Sequence, residues 1–445
     1  MCRLRAASGL RSVLQEHCWD GTLGMTSDHG EPVDVQQVVE RYQRHVNAGL
    51  ASLFKFMGFE AVEWKAEGSR IWDSDGNEYL DLLAGFGALA LGQRPAAVVA
   101  AVKEQLDRMP LASRVLFDKP VADLAAELAA MLPGGIEKSF FCHSGAEAVE
   151  GALKLARLHT GRAGIVATEG GFHGKTFGAL SASGRDVYKK PFAPLLPEVS
   201  HVPYGDAEAL GRAVTDQTAA VILEPIQGEA GVIIPPDGYL PAVREICSRA
   251  SALLILDEVQ TGFGRSGTMF ACEREGVVPD IITLAKALGG GVMPLGAFAS
   301  TPEIWAALET NPLIHSSTLG GNPLACAAGL AAIREIKRLD LPARAVAMGE
   351  RALGRLRELR QSHAEIISDV RGRGLFIGVQ FTDSDIAGLV IAGLAQRRVI
   401  AAYTLNNPYV IRIEPALTIS EEELNRGLDA LAEAVAQAEE LVAGL

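Results

Sequence analysis

The sequence predicts an α/β fold in which a large domain is built on a mainly parallel β-sheet covered by helices. A smaller α/β domain is formed from both termini. Two observations carry this prediction. Between about residues 96 and 335, short apolar runs recur between amphipathic stretches long enough for helices, the pattern of strands buried on both faces. After about residue 340 the chain changes to long helices separated by a few strands. With 445 residues there is enough chain for two such units.

Taken in order, residues 1–35 carry mixed charges and no sustained period, so they read as a flexible tail. Arg3, Arg5 and Arg11 without an acid faintly suggest a transit peptide, but no apolar core of a secretory signal follows. Residues 36–95 form the first part of the small domain, with a helix from Val35 to Val46. Ile71–Leu80 reads as a β-hairpin turning at Asp75-Gly76. The large domain, 96–337, contains strand candidates Ser139–Cys142, Gly164–Thr168, Ala219–Leu223, Leu253–Leu256, Ile281–Leu284 and Gly296–Ala299. The C-terminal part of the small domain, 338–445, has a helix from Pro342 to Gln361, strands at Leu375–Phe381 and Tyr409–Ile413, and a last helix. That helix opens with a Ser420/Glu423 capping box and places Leu424, Leu428, Leu431, Val435 and Ala438 on one face.

Composition bounds the function. The chain is 48% hydrophobic and 21% charged, as expected of a globular enzyme, and its net charge of −13 argues against nucleic acid or an anionic membrane as a partner. No apolar run is long enough to span a bilayer. The six cysteines, Cys2, Cys18, Cys142, Cys247, Cys272 and Cys326, form no C-x-x-C pair, and no histidine spacing suits a metal. Reduced cysteines and a cytoplasmic location are expected.

The chemistry concentrates at strand ends. Lys286 lies among Leu284, Ala285, Ala287 and Leu288 and precedes Gly289-Gly-Gly291. Apolar burial disfavours an ammonium ion, so this lysine can act as a neutral amine, and glycines allow backbone to approach a ligand. Asp257 ends the apolar run Leu253–Leu256. A carbonyl-carrying cofactor such as pyridoxal phosphate needs one lysine for a Schiff base and one acid for its ring nitrogen. Taken alone, each residue reads more readily as a snorkelling lysine or a turn-capping Asp, and their value comes from what accompanies them. Ser144 and Glu147 form a capping box that leaves the N–H groups of Gly145 and Ala146 free for an anion, or simply cap an ordinary helix. Phe172, between glycines after a strand, either stacks on a flat heterocycle or packs in the core. Gly262-Phe-Gly264-Arg-Ser-Gly267 matches a dinucleotide pattern but is separated from its strand by Asp257–Thr261, two of them acids, which excludes that use.

Ser144–Ala148, Gly171–Gly174, Glu224–Glu229, Asp257–Gln260, Leu284–Lys286 and Thr318–Asn322 occur in the order seen in class III aminotransferases, pyridoxal-phosphate enzymes of fold type I, and the chain resembles that family from about residue 40 to 435. Within it, Ala252–Gln260, Met269–Glu273, Leu284–Pro294, Thr404–Asn407 and Ile411–Pro415 are most similar to putrescine aminotransferases. The resemblance implies that Lys286 carries pyridoxal 5'-phosphate as an aldimine and relays the substrate proton, with Asp257 on the ring nitrogen. It places Val259 and Phe172 on the two ring faces and Gln260 at the ring hydroxyl. Ser144, Gly145, Ala146 and His173 complete the cofactor set. Thr318 reaches the phosphate of the neighbouring subunit, which implies a homodimer, or a tetramer of such pairs, with active sites at the interface. Arg412 resembles the arginine that binds the keto-acid carboxylate, and Glu229 the carboxylate that pairs with it while an amine donor is bound.

The implied reaction moves a terminal amino group from a diamine such as putrescine or cadaverine to 2-oxoglutarate or pyruvate. Ornithine, acetylornithine or another amine as donor, and an aminomutase on the same fold, are the alternatives; intact Lys286 and Asp257 argue against a non-catalytic relative. Three departures concern the pocket. His143-Ser-Gly-Ala146 stands where relatives usually have Asn-Ser-Gly-Thr, Gln93-Arg-Pro95 replaces a Gly-His-Pro-like turn, and Leu319 replaces Phe.

Overall fold

In the computed structural model, which describes residues 33–444, the apolar runs of the middle of the chain become one sheet because each can bury both of its faces. The strands before and within it are β1 (Glu63–Glu67), β2 (Arg70–Asp73), β3 (Glu78–Asp81), β4 (Lys138–Cys142), β5 (Gly164–Thr168), β6 (Val199–Val202), β7 (Thr218–Leu223), β8 (Leu253–Asp257), β9 (Ile281–Leu284) and β10 (Gly296–Ser300). The central sheet has seven strands in the order β4-β10-β9-β8-β7-β5-β6. Strands β6, β5, β7, β8 and β9 pair in parallel, whereas β10 runs antiparallel to both β9 and β4. Alternate residues feed two cores. Leu254, Leu256, Ile282 and Leu284 join one, and Ile222, Ile255, Ile281 and Phe298 join the other with the helix Gly145–Thr160. That alternation within all-apolar strands is the physical content of a sheet covered on both sides.

Two four-stranded sheets flank this one. In the first, β1, β2 and β3 are joined by β13 (Val399–Ile400), which pairs in parallel with β3. The expected hairpin is present. Asp73 accepts from the N–H groups of Asp75 and Asn77, from the Asn77 amide and from the Tyr79 hydroxyl, and Gly76 takes φ +83. The second sheet is antiparallel, in the order β11 (Ile367–Arg373), β12 (Phe376–Phe381), β15 (Val410–Ile413) and β14 (Ala402–Tyr403). The helix Leu341–Ser362 packs beside it, and the helix Glu421–Ala443, with its capping box formed, packs on that helix and on the helix Ser384–Gln396. No helix among the described residues is long and apolar enough to cross a membrane.

Three local expectations need adjustment. The helix from Val35 is α-helical to Tyr42 and continues as a π-helical turn over Gln43–Asn47. Strands β6 and β11 were not expected, because Ser200, His201, Ser368, Asp369, Arg371 and Arg373 interrupt their apolar character. The flexible tail expected for residues 1–35 lies almost wholly outside the described residues.

Candidate active site

The carboxyl ends of β4, β5, β7, β8 and β9 open onto a cavity of about 580 Å³. Open parallel sheets collect ligands at this edge because each strand delivers a loop there. Ser144, Gly145, Ala146, Phe172, His173, Asp257, Val259, Gln260 and Lys286 all line it. Nine residues proposed from sequence therefore converge on one space.

Lys286 starts a 3-10 turn directly after β9, at φ +48. A non-glycine residue in this left-handed region costs of order 1 kcal/mol and persists only where its surroundings hold it. Burial pushes its amine below the ordinary lysine value, against the opposing charges of Glu414 and Glu229, with Arg412 adding to the depression. The glycines that follow do less for a ligand than expected. Gly291 lines the cavity, but the space beside Gly290 is filled by Val98 and Ala332.

Asp257 is buried at the end of β8 and held from three sides. Its Oδ2 lies 2.7 Å from His173 Nδ1, while Oδ1 accepts from the Thr283 hydroxyl and the Val259 N–H, each at 3.1 Å. Burial opposes a charge on His173, yet the hydrogen bond and charge of Asp257, helped by Glu224, raise its pKa overall. Glu224, at the end of β7, also lines the cavity and accepts from the N–H groups of Phe172 (2.9 Å) and Gly228 (3.1 Å). Burial, opposed by His173 and reinforced by Asp257, pushes its carboxyl up to about 7.

Ser144 caps the helix Gly145–Thr160 by accepting from the Glu147 N–H at 3.2 Å. The reciprocal half of the expected box is displaced by one residue, since Glu147 accepts from the N–H of His143. The N–H groups of Gly145 and Ala146 donate to nothing among the described residues. A Cβ on Gly145 would lie 2.9 Å from Val259 Cγ1, so glycine lets the helix N-terminus sit against Val259.

The remaining expected residues lie apart. Thr318 is exposed and does not line the cavity. Arg412 and Glu229 form a buried ion pair at 2.6 Å just behind the lining, with Phe86 over the guanidinium at 5.2 Å. Room for Arg412 comes from its neighbours in register, Gly378 and Ala402. Burial favours a protonated Glu229, but Arg412 outweighs it and holds the carboxyl below the ordinary range. Gln260 directs its amide N–H at buried Glu414, 3.0 and 3.2 Å from the two carboxylate oxygens. Glu224, Thr283 and Glu414 were not identified from sequence as site residues.

An unpartnered pair of helix N-terminal N–H groups, a fixed carboxylate, and an amine with depressed basicity, all around one cavity, fit pyridoxal phosphate. The class-III aminotransferase family model matches residues 58–435. The chain belongs to the class III aminotransferases. Ornithine aminotransferase from Toxoplasma gondii ME49 is 32% identical, with a TM-score of 0.86 over 93% of this chain and 97% of that one. A thermostable (S)-enantioselective omega-transaminase from Thermomicrobium roseum is 30% identical, with a TM-score of 0.85 over 92% and 99%. An amine transaminase from an uncultivated Pseudomonas species, solved with pyridoxal phosphate bound, is 32% identical, with a TM-score of 0.78 over 85% and 95%. This aminotransferase therefore uses pyridoxal phosphate and takes a small amine donor and a keto-acid acceptor.

Proposed function

We propose that this aminotransferase moves a terminal amino group from a diamine, such as putrescine or cadaverine, to 2-oxoglutarate or pyruvate. The observation that carries the reading is the buried Arg412–Glu229 pair at 2.6 Å beside the cavity. While the pair is closed, Arg412 is neutralised and the site offers no bare cation to a positively charged donor. When a keto acid arrives, its carboxylate displaces Glu229 and takes the guanidinium fork.

When bound, pyridoxal phosphate supplies the electron sink that acidifies the substrate carbon. Lys286 Nζ carries the proton to and from that carbon, a task for which its lowered pKa suits it. Asp257, fixed by His173, Thr283 and the Val259 N–H, would keep the proton on the ring nitrogen. Ser144, Gly145 and Ala146 would hold the phosphate, Phe172 and Val259 would pack on the ring, and Gln260 would reach the ring hydroxyl.

Thr318 serves the neighbouring subunit of a homodimer in this reading. The support is the apolar surface near it: Leu313, Ile314 and Leu319 are exposed, as are Val115, Leu116 and Phe117 on a loop tied to the same region by Arg114 and the Ser317 carbonyl. A second reading, an ornithine-type donor, is favoured by the 32% identity to an ornithine aminotransferase. A screen of diamines, ornithine and acetylornithine against 2-oxoglutarate and pyruvate tests the two. Higher kcat/KM for ornithine than for any diamine refutes the first.

A further inference from the structure

Arg412 faces two carboxylates, of which the second has no place in the switch described above. Glu414, two residues along β15 and its extension, has no solvent exposure. It lies 3.8 Å from Arg412 Nη1 and 3.8 Å from Arg265 Nε, too far for a direct hydrogen bond to either. Its firm partners are instead the Gln260 amide, at 3.0 and 3.2 Å. The backbone makes room for it: a Cβ on Gly87 would lie 2.2 Å from Glu414 Oε1. A buried carboxylate between two guanidinium groups, hydrogen-bonded to neither, acts on them through its charge alone.

The charge count shows what it does. Arg265 and Arg412 contribute two positive charges, Glu229 and Glu414 two negative ones, so the closed pocket is neutral. Displacing Glu229 leaves one net positive charge, and without Glu414 it would leave two. Glu229 lies on a loop and is the carboxylate that the switch displaces, whereas Glu414 follows β15 directly, its N–H donating to the Leu82 carbonyl, and stays. Arg412 Nε and Nη1 have no hydrogen-bond partner in the described structure, so a ligand carboxylate has open donors to use.

We propose that Glu414 is a specificity-determining residue, a fixed counter-charge that tempers Arg412 so that the pocket releases dicarboxylates and tolerates a second ammonium group. This rests on the reading of Arg412 as the carboxylate site. Glu414 touches no substrate and acts through Arg412 and Gln260. The same carboxylate is the foremost opposing charge at the Lys286 amine, ahead of Glu229.

The test uses holoenzyme with glutarate, a non-reacting dicarboxylate, titrated by calorimetry, together with KM values for putrescine and 2-oxoglutarate. Glu414→Gln should tighten glutarate roughly a hundredfold, the scale of one unit charge about 6 Å away at an effective dielectric of about 20. It should lower KM for 2-oxoglutarate and raise KM for putrescine. Opposite signs matter, because a merely structural defect weakens both. Glu414→Asp, which keeps the charge, should restore the wild-type ratio of the two KM values. Should Glu414→Gln fail to fold, Glu414→Ala tests the same charge in less space. Unchanged or weakened glutarate binding in a folded, charge-free variant overturns the proposal, provided Arg412→Ala abolishes glutarate binding. If Arg412→Ala leaves glutarate binding intact, the reading of Arg412 itself fails.

Discussion

Replacing Arg412 by Ala should separate the two halves of the reaction. In the closed pocket only Nη2 is engaged, by Glu229 at 2.6 Å, while Nε and Nη1 are open. A keto-acid carboxylate that displaces Glu229 gains charge-assisted hydrogen bonds worth about 1.5–3 kcal/mol each. Two such bonds, less the cost of parting Glu229, leave about 3 kcal/mol, or roughly 150-fold in kcat/KM for the acceptor. The donor half loses no direct contact. Glu229 keeps the Leu405 N–H at 2.7 Å, but its carboxyl, no longer held down by Arg412, rises toward the neutral form that burial favours. The donor rate should change less than about tenfold. Single-turnover absorbance at the cofactor band, with each half-reaction run separately, measures both. Equal losses in the two halves refute the switch and favour a donor that itself presents a carboxylate to Arg412.

Lys286→Ala should remain folded and keep cofactor through the remaining contacts but lose turnover; near wild-type transamination would show that another group relays the proton. Asp257→Asn should lower turnover about a hundredfold, since a fixed charge in a dry site is worth about 3 kcal/mol. A loss below about tenfold counts against its role at the ring nitrogen. Gly145→Ala should weaken cofactor binding about tenfold by pushing Val259 away from the ring face, an overpacking cost of about 1–3 kcal/mol. Equilibrium dialysis against pyridoxal phosphate measures it, and an unchanged dissociation constant argues against the close fit. Glu224 binds its proton more tightly folded than unfolded, so its contribution to stability is full below about pH 4.5 and is lost as pH rises through about 7. The stability of wild type relative to Glu224→Gln should therefore fall by an amount on the order of 3 kcal/mol between pH 5 and 8, read as a difference in thermal midpoint. A pH-independent difference would remove Glu224 from the titrating network.

The parallel core was readable because β5, β7, β8 and β9 bury both faces and are almost purely apolar. Strand β6, Val199–Val202, and strand β11 were not, since their polar residues erase the contrast with loops and only pairing with β5 and β12 stabilises them. The reversed direction of β10 had a usable signal that went unread. Only 11 residues, three of them glycine and none in a helix longer than a 3-10 turn, separate Leu284 from Gly296, too little for a crossover between parallel strands. In the site, residues that meet the cavity directly were legible because strand-end position and residue type suffice to place them. Glu224 was passed over although it ends an apolar strand just as Asp257 does. Glu414 could not be placed: its importance comes from two distant segments, one bringing Gly87 and the other Gln260 and Arg265.

The antiparallel β10, lodged between β9 and β4, makes the sheet a yardstick. Neighbouring strands sit about 4.8 Å apart, so β9, which delivers Lys286, and β4, which leads into the anion cup, are held roughly two strand widths, near 10 Å, from one another. That interval is fixed by main-chain hydrogen bonds, which side-chain substitution leaves in place. Arg412 and Glu414 hang from a different sheet and are outside this scale. Reshaping the surroundings of β15 can thus redirect which donors and acceptors are taken while the grip on the cofactor keeps its length, a division of labour well suited to diversification of substrates on one chemistry.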